Sequence, residues 1–62
     1  MRTEVHFVYE RDTKRTYRFT ESTPDGPAID LAEAKVGVIY VKKAALGNVA
    51  PKGLKVTLET KD

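Results

Sequence analysis

Apolar residues recur at every second position in four separate segments of this chain, and no amphipathic helix of any length accompanies them. Residues 4–10 place Val5, Phe7 and Tyr9 on one face. Residues 16–21 place Tyr17 and Phe19 on one face and Thr16, Arg18 and Thr20 on the other. Leu54, Val56 and Leu58 alternate with Lys55, Thr57 and Glu59 in a last segment. The third segment, residues 35–43, is apolar on both sides: Val36, Val38 and Tyr40 on one, Ile39 and Val41 on the other. Aromatic and β-branched residues at a period of two form strands. The expected fold is therefore all-β, a four-stranded antiparallel sheet (β-β-β-β) with at most short helical turns, in a single domain over 1–62.

The connections follow from turn chemistry. Polar Arg11 to Arg15, centred on Asp12, joins the first two strands. Facing residues must share a face, so paired numbers must sum to an even value for Val5, Phe7 and Tyr9 to meet Tyr17 and Phe19. A two-residue Asp12-Thr13 turn breaks that parity, so a three- or five-residue loop is expected, with Tyr9 opposite Tyr17 or Arg15. Thr23-Pro24-Asp25-Gly26-Pro27 is the strongest break in the chain. Asp30 is placed to cap a helical turn from Leu31 to Ala34, and Ala44 to Leu46 reads as a turn stopped by Gly47. Gly37 inside the third strand requires a bulge or a close backbone approach.

One sheet of this size leaves an apolar face to cover. The candidate core is Val5, Phe7, Tyr9, Tyr17, Phe19, Val36, Val38, Tyr40, Leu54, Val56 and Leu58. Burying each large side chain contributes about 1.5–3 kcal/mol, while ordering each residue costs roughly 1.5 kcal/mol, so an uncovered sheet is close to break-even. With no cysteine there is no disulfide to help. Either the sheet curls into a small barrel or a second copy completes it. The two-sided third strand favours a homodimer, with Val8, Ile39 and Val41 at the interface.

Charge is distributed unevenly. From Ala34 to Leu58 the chain runs 25 residues with five lysines (Lys35, Lys42, Lys43, Lys52, Lys55) and no acidic residue, although the whole chain is only +2. An uncompensated positive field favours an anionic partner. Lys42, Lys43, Lys52 and Lys55, extended by Arg15 and Arg18, are the candidate contacts to a nucleic-acid backbone. Arg11 and Lys14 lie in the same hairpin, interleaved with Glu10, Asp12 and Glu21. The competing reading is a solvated surface in which Lys42 and Lys43 keep a strand edge from aggregating. Phe7, Tyr9, Tyr17, Phe19 and Tyr40 have the chemistry to stack on bases, yet all fall on faces assigned to the core.

Other classes find little support. His6 is the only histidine, and with no cysteine the chain lacks the ligands of a metal site. Ser22 is the only serine, Asp30 and Glu33 read as acids at a helix start, and the glycines are too scattered for a phosphate loop. Neither enzyme activity nor a cofactor is expected. The longest apolar run, Val38 to Val41, is too short to span a bilayer. Glu4 and His6 interrupt the start, so no signal peptide is expected and the cytoplasm is the expected location.

The run Gly37-Val-Ile-Tyr-Val-Lys-Lys-Ala-Ala-Leu-Gly47, with Pro51, Leu54-Lys-Val-Thr-Leu-Glu59 and the charged hairpin Glu10 to Phe19, resembles small uncharacterised bacterial β-proteins. The resemblance implies a small bacterial β-domain and transfers no functional residue. The expected function is a non-enzymatic binding protein, with nucleic acid as the leading partner. The alternative is a homodimeric protein-interaction or structural module with no nucleic-acid role.

Overall fold

A computed structural model describes residues 1–61. Strands β1 (Arg2–Asp12), β2 (Thr16–Ser22), β3 (Val38–Lys42) and β4 (Gly53–Glu59) form one antiparallel sheet in the spatial order β3-β2-β1-β4. The all-β, four-stranded architecture is the one the alternation dictates.

Within the first hairpin, Phe7 faces Glu21 and Tyr9 faces Phe19, whereas Arg11 faces Arg18 and Asp12 faces Tyr17. The register shifts by one between Tyr9 and Arg11. This bulge leaves Glu10 as the extra residue. Thr13 to Arg15 join the strands, and the Thr13 N–H donates to the Thr16 carbonyl at 2.8 Å. The parity is the expected one, but Tyr9 meets Phe19 rather than Tyr17 or Arg15. A bulge restores the pairing that loop length was expected to set.

The third strand departs further from its sequence pattern. It begins at Val38, because Gly37 at φ +96° breaks the extended run and leaves Val36 outside. Phe19 then faces Ile39, Tyr17 faces Val41 and Arg18 faces Tyr40. Ile39 and Val41 therefore pack against the core, while Tyr40 stands on the opposite face, 54% exposed. The expected orientation of this strand is reversed, and Val36, Val38 and Tyr40 leave the core. With apolar residues on both sides, only the cross-strand register decides which side points inward. Val8 lies on the face opposite Ile39 and Val41, so these three residues form no common dimer surface.

Val5, Phe7, Tyr17 and Phe19 are buried, with Tyr9, Ile39, Val41, Leu46, Ala50, Leu54 and Val56 packed around them. The cover comes from the β3–β4 connection, which must pass from one sheet edge to the other. It opens with the one-turn helix α1 (Lys43–Leu46), and Leu46 and Ala50 seal the core. The Tyr17 hydroxyl donates to the Gly47 carbonyl at 2.6 Å. Backbone bonds tie this strap to the sheet at both ends: Lys43 N–H to the Arg15 carbonyl and Tyr9 N–H to the Lys52 carbonyl, each 2.9 Å. Where the strap rejoins the sheet, a Cβ on Gly53 would lie 2.9 Å from the Phe7 carbonyl oxygen. Gly53→Ala is expected to cost about 1–3 kcal/mol, since backbone must shift to admit the methyl group. Urea denaturation compared with wild type measures it.

The opposite end is organised by Glu21, which sits on the core face and is only 4% exposed. Its backbone N–H donates to the Gly37 carbonyl at 2.8 Å, and its carbonyl accepts from Ile29 at 3.1 Å. Its carboxylate accepts from the N–H groups of Lys35 (3.1 Å), Val36 (2.7 Å) and Gly37 (3.0 Å). Burial alone pushes this carboxyl up, but the three N–H groups and the Lys35 charge together outweigh it and hold it below its ordinary value. Between these anchors, Asp30 caps a 3-10 turn over Leu31–Glu33 by accepting from Ala32 at 2.9 Å.

Candidate nucleic-acid interface

The topology gathers basic residues at one end of the sheet. Pairing of Thr16 with Lys42 puts the end of β3 beside the hairpin, and the strap keeps Lys43 next to Arg15 and Lys52 next to Tyr9. Arg11, Lys14, Arg15, Arg18, Lys42, Lys43 and Lys52 therefore share the hairpin end with only Glu10 and Asp12, a net charge of +5 in a chain of +2. The β2–β3 connection at the far end carries Asp25, Asp30 and Glu33. The molecule is thus polarised along its strands.

The six candidate contacts divide by what holds them. Lys43 Nζ lies 3.2 Å from Asp12 Oδ2 and 5.4 Å above the Tyr17 ring. The Tyr9 hydroxyl also donates to Asp12. That bond first, and the Lys43 contact second, hold the Asp12 carboxyl below its ordinary value, while Asp12 pushes the Tyr9 phenol up. Arg18 Nε donates to Glu10 Oε1 at 3.1 Å, and Nη1 donates to the Tyr40 hydroxyl at 2.8 Å. The Glu10 carboxylate, above all, raises the Arg18 guanidinium from its ordinary value. Lys55 lies mid-sheet opposite His6, 3.5 Å from Glu4, and so stands apart from the hairpin end. Arg15, Lys42 and Lys52 have no ion pair among the described residues, and neither has Lys14.

Tyr40 is the aromatic that the strand pattern placed wrongly and the register exposes. Its ring stacks beneath the Arg18 guanidinium, 5.6 Å from the centroid, on the same face as Lys42 two residues on. Phe7, Tyr17 and Phe19 are buried and unavailable to bases. A lysine, a guanidinium and an open tyrosine ring thus lie together at the β3 edge, the combination that engages phosphate and base at once. The sequence signal that would have found Tyr40 is its pairing with Arg18, legible only once Phe19 is set against Ile39.

A second feature is an open cleft of about 390 Å³ lined by His6, Val8, Ser22, Pro24, Lys52 and Lys55, on the face away from the core. Lys52 belongs to both this cleft and the basic end. Among the described residues no group of three or more metal-ligating side chains converges, and no helix is long and apolar enough to cross a membrane. Compared with protein-family models, with curated proteins and with solved structures, the chain matches none.

Proposed function

We propose that this protein is a non-enzymatic, homodimeric binding domain of the bacterial cytoplasm that engages single-stranded nucleic acid through its hairpin end. The observation that carries the reading is the net charge of +5 at the hairpin end, with the exposed Tyr40 beside Arg18 and Lys42 at one edge of it. Lys42, Lys52, Arg15 and Lys14 neutralise phosphates, since no carboxylate among the described residues competes for them. Tyr40 supplies a stacking surface, with Arg18 fixing its ring. Lys43 acts as a strut between strap and hairpin, and Lys55 contributes only at the margin.

Fluorescence anisotropy of a labelled single strand, titrated at several salt concentrations, tests this. Lys42→Glu with Lys52→Glu is expected to abolish binding at moderate salt. Neutralising the same pair with glutamine should reduce the slope of log affinity against log salt by about 1.4, the share of two phosphate contacts on a single strand. Tyr40→Ala should weaken binding by about 1–3 kcal/mol while leaving that slope unchanged, as loss of one stacked base does. Absence of wild-type binding at low salt would overturn the nucleic-acid role and leave a homodimeric protein-interaction module.

A further inference from the structure

The two edges of this sheet are unequal. The β3 edge is five residues long, follows the kink at Gly37 and ends in Lys42-Lys43, features that discourage strand addition. The β4 edge is seven residues long, with no proline and no bulge against β1. Its inward face is also the least covered part of the core. The strap reaches only the hairpin half, so Leu54 and Val56 are half-buried and Leu58 is 43% exposed.

Surface area points the same way. A compact monomer of this mass exposes about 4,000 Å², whereas this chain exposes 4795 Å². The excess of roughly 800 Å² is surface that a monomer of this mass ordinarily covers.

We infer that a second copy of this chain pairs along the β4 edge, antiparallel about a twofold axis at Thr57, to give one continuous eight-stranded sheet. The inference rests on the homodimer reading and moves its interface from β3 to β4. In that register Val56 faces Leu58 of the other copy, and Lys55 faces Glu59 of the other copy. Apolar side chains meet on the core side and opposite charges on the outer side, both favourable cross-strand pairs. The charges already alternate within one protomer, with Glu4 beside Lys55 (3.5 Å) and Arg2 beside Glu59 (2.9 Å). Pairing joins them into one row: Glu4, Lys55, then Glu59 and Arg2 of the second copy. The two basic hairpin ends point away from each other, so dimerisation leaves both nucleic-acid surfaces free.

The absence of cysteine makes this directly testable by cross-linking. Facing residues of antiparallel strands hold their Cβ atoms about 4.5–5.5 Å apart, close to disulfide reach. Thr57→Cys, on the axis, is expected to convert almost completely to a linked dimer under mild oxidation. Tyr40→Cys, at the middle of the β3 edge, should link only at the level of random collision. Sedimentation equilibrium of the wild-type chain runs alongside. A dimer in solution with efficient Thr57→Cys linkage supports the β4 interface. If the dimer is present but Tyr40→Cys links better, or neither links, the β4 interface is overturned while the homodimer stands. A monomer at every micromolar concentration overturns both.

Discussion

Glu21→Ala is expected to lower the free energy of unfolding by about 3 kcal/mol, because it leaves three converging N–H groups without their acceptor. Those groups belong to Lys35, Val36 and Gly37, where the long β2–β3 connection returns to the sheet. Gly37 is held at φ +96° to present its N–H, a conformation that costs other residues roughly 1–2 kcal/mol. Glu21→Gln is the informative companion. Its amide oxygen replaces the carboxylate oxygen that accepts from Val36 and Gly37, but its NH₂ then faces the Lys35 N–H, donor against donor. The expected order of stability is wild type, then Gln, then Ala.

The pH dependence separates charge from shape. A carboxyl held below its ordinary value of 4.5 stabilises the fold fully above that pH, and the contribution is lost as pH falls through the lower folded-state value. Wild type should therefore lose stability on acidification below that value more steeply than Glu21→Gln. Asp12 shifts in the same direction but is present in both proteins, so it cancels in the comparison. Urea denaturation across the acid range measures the difference. Equal acid slopes would mean that the cradle acts by shape alone.

Glu21 also shows where sequence reasoning stops. It shares parity with Tyr17 and Phe19 and falls on their face because β2 runs on to Ser22. As a carboxylate it counted only with Glu10 and Asp12, a charge interleaved with the hairpin's basic residues. The backbone donors that make its burial tolerable lie 14 to 16 residues away, and no local pattern announces them. The strands with one apolar face, β1, β2 and β4, were legible because alternation leaves a single choice. The β3 segment offered apolar residues on both faces, so counting them favoured Val36, Val38 and Tyr40, and only the pairing of Phe19 with Ile39 sets its orientation.

The candidate site was legible in charge and not in arrangement. The acid-free window drew attention to Lys42 and Lys52, which lie at opposite edges of the sheet. What brings them to the same end is the strap, a ten-residue crossing whose path depends on Leu46 and Ala50 finding the core. Pairing of Lys43 with Asp12, Arg18 with Glu10 and Lys55 with Glu4 likewise depends on register. Residue type alone could not separate these committed cations from the free ones.

Phe19→Ala carries the largest expected loss, about 3–5 kcal/mol. Phe19 is fully buried on an inner strand, between Tyr9 and Ile39, with the Tyr9 ring edge-on at 6.1 Å. Ladders on both sides of β2 hold the backbone apart, so the cavity cannot collapse. A single core in a chain this short supplies only about 3–5 kcal/mol in total. The variant is therefore expected to be largely unfolded, visible as collapse of amide dispersion in its NMR spectrum. Leu58→Ala is the contrasting case. At 43% exposure in one chain its truncation should cost little at low protein concentration. If β4 pairs with a second copy as proposed, the same change should cost more as concentration rises, because pairing would cover that side chain. A well-dispersed Phe19→Ala spectrum would place the weight of the fold on the strap rather than on the four buried side chains of one sheet.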